Sequence, residues 1–297
     1  MPAGVTSAIT KQSVWFLTGC STGFGRELAK QLLDRGNRVA VTARHPKSLA
    51  QFAGIENALV LELDVTDPAQ VAAATQAAET RFGHIDVLVN NAGIGYFAAI
   101  EEGEDAEIRR MFDINLFGLA AMTRAVLPGM RKRRHGFIVN FSSIGGLRSF
   151  PAIGWYNATK FALEGLSEAL WQEVEPLGIR VMLVEPSGFR TDWAGRSADE
   201  SKVQIADYAA TAGAGRAGVR AVSGKQAGDP VRAVEAIIKV VEGPNPPHHL
   251  LLGNDAYDGA MAKLAELQAD FAGWERVSRG ADFPKGDVAM ERARHGT

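Results

Sequence analysis

The sequence predicts an α/β fold in which seven parallel strands form a doubly wound sheet with helices on both faces. Short apolar runs alternate along the chain with longer segments of helical periodicity, as in repeated βαβ units. The runs are nearly continuous rather than alternating, which is typical of strands covered on both faces. A glycine-rich turn, GCSTGFG, joins the first run directly to the first helical segment.

The predicted elements follow one another along the whole chain. A helix is predicted to begin where Asp67 precedes Pro68 and another where Asp229 precedes Pro230, because aspartate caps a helix and proline fits its first position. Gly36 is predicted to end the first helix. No repeat or linker divides the sequence, so residues 1–297 are predicted to form one domain. The strands are assigned to residues 14–17, 39–41, 59–61, 87–89, 137–141, 181–184 and 250–252.

The composition argues against several classes of protein. Charged residues make up 22% of the 297 residues and the formal net charge is −2, without the basic excess that nucleic-acid binding usually needs. A single cysteine, Cys20, excludes an intrachain disulfide and suits a reducing compartment. Residues 1–13 lack the apolar core of a signal peptide, and no apolar run is long enough to span a membrane. The prediction is a soluble cytoplasmic protein with no nucleic-acid or membrane partner.

The glycine-rich turn predicts a Rossmann-type dinucleotide site. Gly19, Gly23 and Gly25 lie between the first strand and an amphipathic helix. Glycine permits the tight turn and a close approach of the backbone to a pyrophosphate, while the helix N-terminus offers N–H groups and a positive dipole end. The spacing is G-x-x-x-G-x-G, and its place between strand and helix is what gives it weight.

A second glycine pattern matches G-x-G-x-x-G but is interpreted differently. Gly213, Gly215 and Gly218 follow no strand, and no helical pattern opens there, so a flexible loop is predicted. Residues 211–228 are rich in glycine and alanine and offer little bulk for a core. The wider segment 192–228 is predicted to be a mobile substrate-binding loop or lid.

The cofactor preference is predicted from the end of the second strand. In such folds an acid about 20 residues beyond the glycines binds the ribose 2′-hydroxyl of NAD. Here Ala43 stands at that position and Arg44 follows it. A guanidinium can receive the 2′-phosphate that an acid would repel, so the sequence predicts NADP. The alternative is that Arg44 is an ordinary solvated charge.

Tyr156 and Lys160 lie four residues apart in YNATK, within a segment of helical periodicity. Residues at i and i+4 share one face of a helix, so the phenol and the ammonium are neighbours. A nearby cation favours the phenolate and lowers the pKa of a phenol from its usual value of ~10. The pair is therefore either a chance surface contact or a tuned acid and base.

Five motifs occur in order: TGCSTGFG, LDVTD, NNAG, an adjacent pair of serines and YNATK. With them the chain resembles the short-chain dehydrogenase/reductase family, densely over residues 13–192 and loosely beyond. Its phosphate loop and the Arg44 pattern look similar to the branch that acts on steroids and retinol. The resemblance implies an NADP-dependent oxidoreductase that interconverts a secondary alcohol and a ketone or aldehyde by hydride transfer.

The resemblance also implies roles for single residues. Tyr156 would be the general acid and base, Lys160 would hold the nicotinamide ribose and make the phenol more acidic, and Ser143 would bind the substrate oxygen. Ser143 lies thirteen residues before the tyrosine, which leaves Ser142 as a structural hydroxyl. Asn115 would bend its helix and hold a water near the lysine. The residues predicted to bind the cofactor are Gly19, Ser21, Thr22, Gly23, Phe24, Gly25, Arg44, Asp64, Val65, Asn91, Ala92, Gly93, Tyr156, Lys160, Pro186, Gly188, Phe189 and Thr191.

The substrate side carries less information. Bulky apolar residues near the motifs indicate an apolar ketone or alcohol as the substrate. His248 and His249 have no cysteine or cluster of acids beside them in the sequence, so no metal site is predicted. The residues predicted to line the substrate pocket are Tyr96, Ile144, Phe150 and Trp193.

Two other functions stay open at this point. A catalytically silent NADP-binding protein, acting as a redox sensor or scaffold, would need only the nucleotide site and not the four polar residues of the catalytic set. A sugar-nucleotide epimerase or dehydratase would share the Tyr and Lys pair but usually carries a larger C-terminal substrate domain. By resemblance, a homodimer or homotetramer is predicted, formed through the helix ending near Leu127 and the helix carrying Lys160.

Overall fold

The computed structural model describes residues 9–195 and 197–283. Its strands, in chain order, are β1 (Val14–Leu17), β2 (Arg38–Ala43), β3 (Ala58–Glu62), β4 (Val87–Asn90), β5 (Gly95–Phe97), β6 (Gly136–Phe141), β7 (Ile179–Pro186), β8 (Ala198–Glu200) and β9 (His249–Leu252). Seven of them form one parallel sheet in the order β3-β2-β1-β4-β6-β7-β9. These are the seven strands that the apolar runs predict, so the prediction of a doubly wound parallel sheet is confirmed.

Helices cover both faces of the sheet. They are α1 (Gly23–Asp34), α2 (Pro68–Phe82), α3 (Asp105–Phe112), α4 (Leu119–Arg133), α5 (Gly154–Val174), α6 (Ala214–Ala221), α7 (Pro230–Val241), α8 (Asn254–Gly273) and α9 (Glu275–Arg279). One core cluster joins α1 and α7 to Trp15 on β1. A second cluster joins α2 and α4 to Phe16 on the opposite face of the same strand. Successive strand residues therefore enter different cores, which explains why the apolar runs are continuous.

The predicted helix ends are confirmed in detail. The carboxylate of Asp67 accepts hydrogen bonds from the backbone N–H of Ala69 and Gln70 at 2.8 and 3.2 Å, and Pro68 opens α2. Asp229 caps α7 in the same way. Gly36 follows α1 with a φ of 86°, a left-handed conformation in which glycine avoids the steric cost that other residues meet.

The order of the sheet creates a crevice between β1 and β4. Strand β1 pairs with β2 on one side and with β4 on the other, so the chain winds outward in two directions from this point. In open α/β sheets, ligands bind at such a switch point, outside the carboxyl ends of the strands. The glycine-rich turn after β1 and the NNAG segment after β4 both lie there.

The segment predicted to be a loop, residues 211–228, is largely helical. Residues Ala209–Gly213 form a π-helical turn that leads into α6, so the second glycine pattern lies in a helix rather than a loop. A buried ion pair holds α6, because Arg216 contacts Glu102 at 3.1 Å and both side chains are at most 6% exposed. The sequence gives no hint of this partner, since it lies more than 100 residues away. The movement of this segment as a lid stays a prediction.

A second, two-stranded parallel sheet was not expected. Strand β5 pairs with β8 beside the main sheet, and each strand has only three residues. Such short strands, with Asp199 and Glu200 in β8, carry no apolar run that a sequence pattern could detect. Among the helices that the structure describes, none combines the length and the apolar character needed to cross a membrane.

Candidate active site

A cavity of about 1110 Å³ opens at the carboxyl ends of the central strands. Its walls come from the glycine-rich turn, the ends of β2 and β3, the NNAG segment, the pair of serines, the start of α5 and the segment after β7. Residues that the sequence assigns to cofactor binding and to catalysis therefore share one continuous space. Gly25 and Asn115 stand behind the wall and act by supporting it.

The glycine-rich turn is packed too closely for side chains. Gly19 has a φ of 71°, and a Cβ atom on it would lie 2.8 Å from the Cα of Ala92. A Cβ on Gly25 would lie 2.5 Å from the carbonyl oxygen of Gly19. The amide of Asn91 closes the turn, since its Nδ2 donates to the carbonyls of Thr18 and Gly19 at 2.9 and 3.0 Å. The turn thus presents backbone and the start of α1 to the cavity, the arrangement that suits a pyrophosphate.

One side of the cavity is lined by Arg44 after β2 and by Asp64 and Val65 after β3. His45 and Ser48 also line it and were missed by the sequence analysis. Burial raises the pKa of Asp64, but hydrogen bonds from the hydroxyl and N–H of Thr66 outweigh it and leave that pKa below its usual value. The Asp64 side chain therefore braces its own loop as an anion.

The NNAG segment is fixed by hydrogen bonds across the sheet. The amide of Asn90 donates to Asn140 Oδ1 at 2.9 Å and to the Thr123 hydroxyl at 3.1 Å. The N–H groups of Asn91 and Ala92 both bond to the hydroxyl of Thr18 at 3.0 Å. This segment joins the ends of β1, β4 and β6, which keeps Ala92 and Gly93 at the cavity wall.

Asn115 lies in a π-helical turn, Asp113–Gly118, between α3 and α4. Its side-chain amide clamps the backbone of Ile94, donating to the carbonyl and accepting from the N–H, both at 2.9 Å. It also donates to the hydroxyl of Thr159 on α5 at 3.3 Å. A π-bulge often marks a functional site, and this one links the NNAG segment to the helix that carries Tyr156. The irregular helix agrees with the bend that the resemblance implies.

Ser143, Tyr156 and Lys160 meet at one wall of the cavity. Ser143 lies two residues beyond β6 in extended conformation and caps a short 3₁₀ helix, its hydroxyl accepting from the N–H of Gly145 at 3.0 Å. The Lys160 ammonium donates to the carbonyl of Phe141 at 2.6 Å and lies 5.6 Å from the centre of the Tyr156 ring. Both side chains are almost completely buried.

Burial controls the titration of this pair. It raises the pKa of Tyr156 to about 12, against the lowering effect of a hydrogen bond with Ser143. It lowers the pKa of Lys160 to about 8, against the opposing charge of Glu164. Burial therefore opposes the phenolate, and the effect of Lys160 and of an oxidised nicotinamide on the phenol stays a prediction.

The segment after β7 lines the cavity and packs against the glycine-rich turn. The ring of Phe189 packs against Phe24 at the start of α1, with 5.2 Å between ring centres. Thr191 caps a short 3₁₀ helix, accepting from the N–H of Trp193 at 3.4 Å, and it also lines the cavity. Its methyl-bearing side chain would lie 3.4 Å from a Cβ on Gly23. Ser187, between Pro186 and Gly188, donates its N–H to the carbonyl of Leu252 at 3.0 Å.

Three of the four predicted substrate residues, Ile144, Phe150 and Trp193, line the cavity, and the Trp193 ring lies 4.9 Å from that of Tyr156. Tyr96 does not, and its prediction as a pocket wall is wrong. It is buried in β5, with its hydroxyl 3.2 Å from a carboxylate oxygen of Glu104. The sequence analysis missed four further apolar residues of the wall, two of them because α6 was taken for a loop. Val219 lies on α6 and Val222 directly follows it, and the other two are Ile94 and Ile153.

The two histidines are not isolated from acids. His249 Nδ1 lies 2.7 Å from Glu185 Oε1 and 3.8 Å from Glu164 Oε2, and the three side chains lie within 4.8 Å of one another. The expectation that no acids accompany these histidines is therefore wrong, because β7 and α5 supply them from distant parts of the chain. The hydrogen bond between His249 and Glu185 makes this a cluster that shares protons, and we propose no metal there.

Comparison with known proteins agrees with this geometry. The family model described as short chain dehydrogenase matches residues 13–202. The chain belongs to the short-chain dehydrogenase/reductase family. It is therefore an oxidoreductase by family, as the five ordered motifs predict.

Single relatives extend the match beyond the motifs. The oxidoreductase BOA17 of Botryotinia fuckeliana is 37% identical over 268 residues, which are 89% of this chain and 97% of that protein. A short-chain dehydrogenase of Streptomyces avermitilis has a solved structure that is 41% identical, with a TM-score of 0.85 over 92% of this chain and all of that one. A Burkholderia cenocepacia short-chain dehydrogenase, solved in complex with NADP, is 26% identical with a TM-score of 0.70 over 89% and 98% of the two chains.

Proposed function

We propose that this protein is an NADP-dependent oxidoreductase that interconverts a secondary alcohol and a ketone or aldehyde, with Tyr156 as general acid and base. One observation carries the proposal. The phenol of Tyr156, the hydroxyl of Ser143 and the ammonium of Lys160 face the same cavity as the glycine-rich turn after β1. A nucleotide bound along that turn would bring its reactive ring to the wall where these three groups meet.

In the reducing direction of the reaction, the cofactor and each of the three residues would have a separate role. NADPH would supply the hydride, and the nicotinamide ring, once oxidised, would carry a positive charge beside the phenol. Tyr156, kept in its protonated form by burial, would donate its proton to the substrate oxygen. Ser143 would donate a hydrogen bond to that oxygen as negative charge grows on it. Lys160 would bind ribose hydroxyls and stabilise the phenolate that remains.

The preference for NADP is inferred from Arg44. Its side chain lines the cavity just beyond β2, where Ala43 replaces the acid that would bind the ribose of NAD. His45 and Ser48 on the same wall add further donors for a phosphate. Structural relatives of this identity were solved with either cofactor, one from Burkholderia cenocepacia with NADP and one from Brucella melitensis with NADH, so the inference rests on Arg44.

The substrate is inferred to be apolar near its reacting carbon. Isoleucine, valine and aromatic side chains surround the approach to Tyr156, and only a few polar groups interrupt them. The single, buried Cys20 is consistent with work in a reducing compartment such as the cytoplasm.

A panel of ketones, aldehydes and secondary alcohols, followed by NADPH absorbance, tests the proposal. We expect turnover on at least one apolar member, and Tyr156→Phe should remove most of it, at least about 100-fold, because general acid catalysis contributes 10²–10⁴-fold. NADPH affinity, measured by fluorescence titration, should change little in this variant. Tight NADPH binding without turnover across the panel would instead favour the silent redox sensor or scaffold.

A further inference from the structure

A buried carboxyl group stands one helical turn beyond Lys160. Glu164 follows the lysine by four residues on α5, so both side chains point to the same face of the helix. The hydroxyl of Ser142, next to Ser143, donates to Glu164 Oε1. Only 12% of the Glu164 side chain is exposed. The carboxyl group therefore lies directly behind the wall that holds the proposed catalytic groups.

A second carboxyl group and one imidazole complete a charge cluster. Glu185 on β7 is completely buried, and its only charged neighbour within hydrogen-bond distance among the described residues is His249. One oxygen of Glu164 and one of Glu185 are buried without a hydrogen-bond partner in the described part of the chain. About half of the His249 side chain is exposed on the edge strand β9, so the cluster reaches solvent through the imidazole.

We propose that Glu164 is a positioning residue that holds Lys160 in its charged form, and that His249 is the solvent-facing counter-ion that lets the buried carboxyl pair ionise. The inference rests on the role of Lys160 in the proposed function. Two carboxylates this close cannot both ionise freely, and a cation beside them shifts the balance toward the charged form. An anion at Glu164 in turn favours the ammonium over the neutral amine of Lys160.

The charges that face the cluster agree with this assignment. Burial and then the charge of Glu185 raise the pKa of Glu164, the hydrogen bond from Ser142 and the charges of His249 and Lys160 oppose them, and the pKa lies at about 7. The hydrogen bond to Glu185 raises the pKa of His249, and the charges of Glu164 and Glu168 act in the same direction. The cluster therefore gains negative charge as the pH rises through the neutral range, where Lys160 begins to lose its proton.

Infrared difference spectroscopy of the whole protein between acid and alkaline pH tests the cluster directly. We expect the band of a buried carboxylic acid, lost as the pH rises through about 7. Glu164→Gln should remove that band. His249→Arg, with a fixed charge, should shift its loss to lower pH, and the neutral His249→Gln should shift it to higher pH. The proposal would be overturned if Glu164→Gln left the band unchanged. It would also be overturned if neither His249 variant shifted the pH at which the band is lost.

Turnover gives the second readout. In Glu164→Gln the alkaline limb of the kcat/KM profile should move to lower pH by about one unit, since Lys160 loses the anion that favours its charged form. Glu173→Gln, an exposed position on the same helix, is the matched control and should leave both the band and the profile in place. A Glu164→Gln profile that superimposes on the wild type would also overturn the proposal. If no ketone turns over, the proposed function is rejected. The infrared result then still decides whether the charge cluster of Glu164, Glu185 and His249 titrates as proposed.

Discussion

Single side chains can decide the cofactor preference of this fold. The wall beyond β2 holds Arg44 together with His45 and Ser48, and none of the three is an acid. The sequence predicts the first of these from its distance to the glycines. The other two were missed because their contribution depends on the path of the chain after β2, where Pro46 opens a 3₁₀ helix that turns Ser48 toward the cavity.

Arg44→Ala should weaken the use of NADPH while leaving that of NADH nearly unchanged. A charge-assisted hydrogen bond is worth about 1.5–3 kcal/mol, which corresponds to roughly a 10- to 100-fold loss in kcat/KM with NADPH. The measurement is the ratio of kcat/KM for the two cofactors with one substrate. Lys30→Ala, on the exposed face of α1 beside Asp34, is the control for a general loss of positive charge. A wild-type preference for NADH would reject the assignment.

At the scale of elements, the sequence analysis predicted those helices and strands that local signals determine and missed those that depend on distant contacts. The strands of the main sheet were predicted because each is a continuous apolar run, and the caps at Asp67 and Asp229 depend only on neighbouring residues. Helix α6 and strands β5 and β8 were missed because their stability comes from other parts of the chain. The composition of residues 211–228 by itself indicates a loop. The ion pair between Glu102 and Arg216, which holds α6, is seen only in the structure.

The same division applies to the candidate site. Ordered motifs predict which residues surround the cavity, since four of the five follow a strand whose end lies at the same edge of the sheet, and YNATK lies near the start of α5. They do not predict the titration of Tyr156, which depends on how deeply the fold buries the phenol. They also miss the carboxyl groups beside His249, because three separate elements bring those side chains together.

The ion pair between Glu102 and Arg216 should be a main support of α6. Glu102 also accepts hydrogen bonds from the N–H groups of Ala99 and Ile205, both at 2.9 Å, so its carboxylate joins three segments of the chain. Arg216→Met should reduce the free energy of unfolding by about 3–5 kcal/mol, because it leaves a buried carboxylate without its counter-ion.

Urea unfolding of the single variants and of the pair measures this effect. Adding Glu102→Gln to Arg216→Met should recover part of the loss, since the uncompensated charge is then absent. Arg232→Met, an exposed arginine paired with Asp229 in α7, is the matched control and should change stability by at most about 1 kcal/mol. Equal losses in both arginine variants would show that burial of the pair contributes nothing.

At the scale of the whole molecule, α5 has two opposed faces. Its inner face carries Tyr156 and Lys160, and its outer face exposes Phe161 and Leu166 at 45% and 40%. Phe117, in the π-helical turn before α4, is 60% exposed. Bulky apolar side chains rarely stand in water in a contiguous group unless another molecule covers them. The homo-oligomer through α4 and α5 that the family resemblance implies stays a prediction, and it would cover side chains such as these.

Phe161→Lys should therefore shift the protein toward the monomer, since a charge at the centre of an apolar interface must be desolvated without a partner. Size-exclusion chromatography with light scattering measures the mass across a dilution series. Phe271→Lys is the control, because Phe271 on α8 is even more exposed, at 69%, and lies on a different helix. A monomer produced by Phe271→Lys, with Phe161→Lys still associated, would move the interface to α8. Because α5 also holds Tyr156, the turnover of the Phe161→Lys monomer shows whether the partner supports this helix. Turnover should fall when the oligomer dissociates if the partner supports α5, and it should be retained if α5 is rigid by itself.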